Sequence, residues 1–362
     1  MNKYKILHLI PYINSQFGGP PYVAKSLNNL FNKSSFNSKI LTLEEDTNRN
    51  ILFFKLTTKK FWFSFDFMIN SIKYIKNSDI IFIHGIYSFV SLWGSIIAIL
   101  FNKKVFLLPH GMLDKNSINS SGFIKNSIRK IFLYTIGLLQ IKLSNKIIFN
   151  SQKEKINSLF ANNSMVIPNG VDVEYIDNVR CNNQYFEKDK INLFFLGRLN
   201  KIKGIELILE AINQLDDDIK EKINFVIAGT SSNEYVEFLQ SVADKAVVKF
   251  IGHIEGSDKY CFLKQCDIYL QPSFTEGLSI SMLEAMACKV KMITTNRVGL
   301  FEELKINNAA KVIDYDKHQL QLAIIELIKK ENNYKNNCYK MIKEKYNWNK
   351  IIEDYKKLMG EN

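Results

Sequence analysis

The stretch 270–288, LQPSFTEGLSISMLEAMAC, constrains the fold of this chain more than any other. Ile268, Tyr269 and Leu270 before it are apolar and read as the end of a strand. Pro272 and Ser273 punctuate, and Gly277 permits a turn that a Cβ would hinder. From Ser279 onward, Ile280, Met282, Leu283, Met286 and Ala287 recur at helical spacing. A strand that runs straight into a helix is the repeating unit of α/β folds with parallel sheets. The free N–H groups of the first helical turn favour an anion. Two carboxylates bracket the unit, Glu276 before the helix and Glu284 within it. A carboxylate beside an anion site suits a ligand that carries hydroxyls as well as phosphate. Phosphate can take the backbone N–H groups of Gly277, Leu278 and Ser279, while Glu276 and Glu284 accept from hydroxyls. A nucleotide sugar has both kinds of group.

The same unit recurs along the chain. Residues 5–11 read as a strand, followed by the loop NSQFGGPPY and a helix over 23–31. The loop is glycine-rich, with Gly18 and Gly19 before two prolines, and it approaches phosphate in the way such loops do. It is not GxGxxG, so a nicotinamide cofactor lacks its fingerprint. Further strands are expected at 39–43, 79–84, 104–108, 146–149 and 164–167, and then at 191–196, 223–228, 247–251 and 291–294. Asn150 and Ser151 read as the cap of a helix starting near Gln152. The loop GRLNKIKG after 191–196 sets two cations, Arg198 and Lys203, at the C-terminal end of a strand, where open α/β sheets bind ligands. Such cations suit a diphosphate, the guanidinium by its planar fork and the ammonium as a point charge. His110 follows another strand end and precedes a glycine. His84 and His253 read as loop histidines without a chemical duty. Asp314 and Asp316 match the spacing of a D-x-D metal motif, but acids just before a helix near Leu320 suit its N-terminus better. Each half alternates strand and helix, which predicts an α/β chain of two Rossmann-like domains, as 362 residues allow. The polar, irregular segment 177–190 reads as the linker.

Taken together, these motifs resemble retaining glycosyltransferases of the GT-B fold, specifically glycosyltransferase family 4. Glu276 and Glu284 fit the E-x7-E pattern, CDIYLQPSFTEGLSISMLEAMA fits its flanks, and GRLNKIKG fits the G-R-x4-K-G signature. PNGVD at 168–172, PHGMLD at 109–114 and the closing YNWNKIIEDYKKL are similar to family blocks as well. The resemblance covers nearly the whole chain and is most specific over 191–290. It implies two Rossmann-like domains facing a central cleft. The first, 1–175, would bind the acceptor and take back a crossover helix at 345–362, whose Trp348 would pack there. The second, 176–344, would bind the nucleotide sugar. It implies sugar transfer with retention from a nucleotide-diphosphate donor to a hydroxyl of a glycan acceptor, with no metal and no other cofactor. Arg198, Lys203 and the Gly277–Ser279 backbone would hold the diphosphate, Glu276 would orient the donor sugar, and Glu284 would hold the ribose. Gly18 and Gly19 would near the donor phosphate and the acceptor, Gly19 foremost, and His110 would lie near the donor sugar. The leaving phosphate oxygen would serve as the acceptor's base.

Charge narrows the partners. The net charge is +12, and residues 1–170 carry 21 Lys/Arg against 7 Asp/Glu while 171–362 carry 27 against 29. A basic half implies an anionic partner. The stretch 122–146 interleaves Lys125, Arg129, Lys130, Lys142 and Lys146 with Phe123, Ile124, Ile128, Ile131, Phe132, Ile136 and Leu139. With 59–63 it makes a docking surface for an anionic membrane, so the acceptor is expected to be lipid-linked, as in surface-polysaccharide synthesis. Such an acceptor would place the protein in the cytoplasm, at the inner face of the cell membrane; no apolar run is long enough to span one. No nucleic-acid module is present to match the charge. Five cysteines without a CxxC pair point away from a disulfide scaffold and a zinc site, and toward a reducing compartment. A sugar-nucleotide 2-epimerase of the same fold and a non-catalytic transferase subunit are the alternatives. The GRLNKIKG and PNGVD blocks favour a transferase over the first, and intact Arg198, Lys203, Glu276 and Glu284 speak against the second.

Overall fold

The computed structural model describes residues 4–115, 127, 130–330 and 332–360. Of the greasy basic stretch, Phe123, Ile124, Lys125, Ile128 and Arg129 lie outside the described residues. The chain divides into two compact units. Unit 1 is Met1–Pro168 with Ile351–Asn362, and unit 2 is Asn169–Lys350. The division falls after Pro168, ahead of the expected Tyr175, because Val171 is tied within unit 2. Its N–H donates to the Tyr346 carbonyl (2.9 Å) and its carbonyl accepts from the Trp348 N–H (3.2 Å).

Unit 1 is built on a parallel sheet of seven strands: β1 (Lys5–Leu9), β2 (Asn37–Thr42), β3 (Ile51–Phe53), β4 (Ile80–His84), β5 (Lys104–Leu108), β6 (Lys146–Phe149) and β7 (Ser164–Val166). Their spatial order is β3-β2-β1-β4-β5-β6-β7. A parallel sheet is covered on both faces, so its central strands must be apolar throughout. All five residues of β4, IIFIH, are buried. The last helix, Trp348–Met359, starts in unit 2 and ends in unit 1. Its Tyr355 packs edge-on against Phe82 and Phe31.

Unit 2 holds β8 (Ile191–Leu196), β9 (Ile223–Ala228), β10 (Val248–Gly252), β11 (Ile268–Gln271), β12 (Lys291–Thr295) and β13 (Lys311–Ile313). The order is β10-β9-β8-β11-β12-β13, again parallel. Alternation along each strand splits its side chains between two cores. Leu193 and Phe195 of β8 join Ile268 and Leu270 of β11 in one, and Phe194 and Leu196 join Tyr269 in the other. In each unit the strand order reverses once, between β1 and β4 and between β8 and β11. Ligands of open α/β sheets bind at that reversal, outside the C-terminal strand ends.

Two sheet-edge strands, β3 and β13, were not expected from the sequence. Asp316 caps the helix Lys317–Lys329, accepting from the Gln319 N–H at 2.8 Å, as the helix-start reading requires. The cysteine expectation needs correcting. Cys181 and Cys261 form a disulfide with Cα atoms 5.4 Å apart, leaving Cys266, Cys288 and Cys338 free and buried. Their separation of 80 residues carries no spacing signal. Only the packing of the segment before β8 against the helix Gly256–Gln265 brings them together. Among the described residues no helix is long and apolar enough to cross a membrane.

Candidate active site

In unit 2 three loops meet at the C-terminal ends of β8, β9 and β11. Gly204 closes the first with φ +73°, and a Cβ there would stand 2.1 Å from the Pro272 carbonyl oxygen. Phe274 N–H donates to the Ile202 carbonyl (2.7 Å), fastening the loop after β8 to the loop after β11. Gly229 lies so close to Gly197 that a Cβ would overlap its carbonyl oxygen, at 1.8 Å. The 276–277 turn is joined on its other side to the loop after β12, where Gly299 N–H donates to the Gly277 carbonyl (2.9 Å).

This packing sets the side chains. The Lys203 ammonium pairs with the Glu276 carboxylate. Gln271, fully buried at the end of β11, holds the floor. Its amide nitrogen donates to Ser279 Oγ (2.9 Å) and reaches Glu276 Oε2 (3.4 Å), and its oxygen accepts from the Tyr269 hydroxyl (2.7 Å) and Ser281 Oγ (3.0 Å). Ser279 stands at the N-cap of the helix Ile280–Ala287, but its hydroxyl is spent on Gln271 and Ser281 and does not cap that helix. Separately, the N–H groups of Gly277, Leu278 and Ser279 have no acceptor among the described residues. Arg198 is exposed and forms no ion pair among them. An amide-lined helix start beside two cations is built to receive an anion.

Glu284 stands apart from this group. It is buried, and its Oε1 accepts from the Lys259 ammonium (2.5 Å) and from the Tyr260 hydroxyl (3.2 Å). Lys259, Tyr260 and Gln271 escaped sequence reasoning. Lys259 and Tyr260 sit on another helix, and nothing in their spacing points to Glu284. Gln271 had a signal, since it is the polar end of an otherwise apolar strand.

In unit 1, Gly18 follows the loop after β1 with φ 84° and ψ −136°, a region open in practice only to glycine. Gly19 begins the helix Gly19–Lys33, whose first turn takes Pro20 and Pro21 at no cost in hydrogen bonds. Glu44 after β2 fixes the loop by accepting from Ile13 N–H (2.8 Å) and Asn14 N–H (2.9 Å). His110 leaves β5 at φ +51°, unusual for a side chain of its size, and Gly111 follows at φ +82°. Buried Glu154 holds this turn, accepting from Gly111 N–H (2.5 Å) and Asn150 N–H (2.9 Å). Burial raises the Glu154 carboxyl to about 7. Glu154 was also missed, although Ser151 followed three residues later by a glutamate is a helix-start signature. The Ser151 hydroxyl does cap the helix Gln152–Asn157, accepting from Glu154 N–H at 3.1 Å.

His84 is no idle loop residue. Its Nε2 lies 3.0 Å from His8 Nδ1, and its Nδ1 lies 3.0 Å from His110 Nε2. Burial depresses all three imidazoles, His8 to about 3 and His110 to about 4, so all three are neutral at physiological pH. His253 Nε2 lies 3.5 Å from Glu255 Oε2.

Known proteins are similar to this chain in sequence and fold. Residues 181–348 match the family Glycosyl transferases group 1. An uncharacterised glycosyltransferase of Methanocaldococcus jannaschii is 28% identical over 324 residues, 85% of this chain and 78% of the relative. The capsular polysaccharide biosynthesis glycosyltransferase CapH of Staphylococcus aureus is 26% identical over 250 residues, 67% of this chain and 65% of CapH. Among solved structures, Anabaena Alr3699/HepE in complex with UDP and glucose superposes with a TM-score of 0.78 at 15% identity, covering 98% of this chain and 99% of that one. Two Rossmann-like units of this strand order, with the match to Glycosyl transferases group 1 over 181–348, make the protein a glycosyltransferase of the GT-B fold.

Proposed function

We propose that the chain moves a sugar, with retention, from a nucleotide-diphosphate donor to a hydroxyl of a lipid-linked glycan in surface-polysaccharide synthesis. The observation that carries this is the crevice of unit 2, with unpartnered amides at 277–279, the exposed Arg198 guanidinium and the Lys203–Glu276 pair. Arg198, Lys203 and the amides stabilise the departing diphosphate by preorganised charge, with no divalent ion. Glu276 orients the sugar and Glu284 the ribose. His110, Gly18 and Gly19 of unit 1 serve the donor sugar and the acceptor. The UDP and glucose of the HepE structure and the pathway in CapH's name support a donor and an acceptor of this kind.

A thermal-shift screen in EDTA against UDP, GDP, ADP, dTDP and CMP tests the donor site. One diphosphate should raise the melting temperature, and the matching sugar nucleotide should yield a product whose anomeric proton coupling reports retention. A shift that appears only with added magnesium or manganese would remove the metal-free reading. An inverted product would remove the retaining one.

The membrane face rests on a second observation. Phe61 packs on Phe132 with ring centroids 5.2 Å apart, which joins the 59–63 loop to the greasy stretch. Beside them Ile131, Tyr134 and Leu139 are 67%, 55% and 45% exposed. Basic residues near anionic lipid contribute roughly 1 kcal/mol each, so reversible docking needs only a few. Flotation with phosphatidylglycerol vesicles at low salt should carry the protein up and neutral vesicles should not; equal behaviour in both rejects the docking surface.

A further inference from the structure

Three imidazoles in a row are costly to bury, and the sheet of unit 1 assembles them deliberately. β1 and β4 are hydrogen-bonded neighbours with His8 opposite Phe82, and β5 pairs with β4 on its other side. His8 therefore lies beside His84, and the turn after β5 sets His110 beside His84. His8 stacks on Phe82 and Phe31, with centroids 5.1 and 5.9 Å away, and His84 stacks on His110 at 5.2 Å. His8 is wholly buried and its Nε2 has no hydrogen-bond partner. At the other end, His110 is half-buried and its Nδ1 is bonded to nothing among the described residues.

A neutral imidazole carries one proton, and each nitrogen–nitrogen contact needs one N–H and one bare nitrogen. Two arrangements satisfy both contacts. In one, all three protons sit on Nδ1, so His8 donates to His84, His84 donates to His110, and His110 turns an N–H outward. In the other, all three sit on Nε2 and an N–H of His8 is stranded among Phe31 and Phe82. Stranded buried N–H groups are rarer than stranded acceptors. The outer end tolerates either arrangement, because His110 Nδ1 is not enclosed, so the buried end decides. The chain also stops at His8, so no proton can pass through it.

We infer that His8 and His84 are positioning residues that fix His110 as the Nδ1–H tautomer, so that it presents a hydrogen-bond donor to an oxygen of the bound ligand. The hydrogen bond made by one ring nitrogen dictates what the other can do. The inference rests on the proposed role of His110 in sugar transfer, but the tautomer can be read without any activity.

The full-length protein has five histidines, so selective 15N-histidine labelling gives a spectrum simple enough to assign by substitution. For His110, a protonated Nδ1 and a bare Nε2 are expected without ligand; the reverse pattern overturns the inference. In His84→Leu the His110 pattern should shift toward Nε2–H. His84→Asn replaces the lost donor near the position of Nδ1 and should restore Nδ1–H. With the donor sugar found in the nucleotide screen, His84→Leu should lower kcat roughly tenfold, the effect of one mispaired hydrogen bond, with KM for the donor little changed. His84→Asn should recover most of it. His8→Phe, which fits between Phe31 and Phe82, is the second test should His84→Leu not fold, and it too should loosen the tautomer. An unchanged His110 spectrum in these variants rejects the inference whether or not the protein transfers sugar. Absent transfer with the wild-type spectrum as expected rejects instead the proposed function.

Discussion

Lys203→Ala is expected to lower kcat by roughly two to three orders of magnitude, the usual cost of deleting one preorganised group that meets developing negative charge. The ammonium has two jobs. It balances the Glu276 carboxylate, only 20% exposed, and in the proposed donor site it would face the diphosphate. Without it, Glu276 confronts the incoming diphosphate as an uncompensated negative charge. Lys203→Arg should recover only part of the rate, because a guanidinium fork does not fit where a point charge is held. Steady-state kinetics with the cognate donor check this. A kcat within a fewfold of wild type in Lys203→Ala would place the diphosphate elsewhere.

Gly204→Ala should be nearly as damaging, for a different reason. A Cβ at this position meets the backbone oxygen of Pro272, and backbone cannot rotate out of the way as a side chain can. The residue also holds φ +73°, which costs an L-residue about 1–2 kcal/mol. Forced overpacking adds about 1–3 kcal/mol. A destabilisation of 1 kcal/mol lowers the melting temperature of a unit this size by about 2–4 °C. The midpoint should therefore fall by roughly 4–20 °C, and the nucleotide-induced shift should vanish, because the loop after β8 is prised from the loop that carries Glu276. A variant that melts and binds like wild type would show that the two loops are not packed as described.

The parts legible in the sequence are those where chemistry and local geometry coincide. Lys203, Gly204, Glu276 and Gly277 stand at strand ends with loop residues around them, and the sheet order places their two loops side by side. The fold was legible for the same reason, since apolar runs followed by helical periodicity recur through both halves. β3 and β13 were not, because three-residue strands carry too little pattern to stand out from loops. Lys259 and Tyr260 were not, because their partner Glu284 lies on a different helix. His8 is the clearest case. In sequence it interrupts an apolar strand, and its meaning exists only once β4 lies alongside with His84.

The sulfur–sulfur bond between Cys181 and Cys261 reaches further than its place in the chain suggests. Cys261 shares a helix with Lys259 and Tyr260, the two groups that grip Glu284. That helix cannot tilt from the carboxylate without dragging the segment around residue 181 along. The grip on Glu284 is thus anchored covalently as well as by packing, and a reductant in the buffer acts on a tether that leads to the ribose end of the proposed donor pocket.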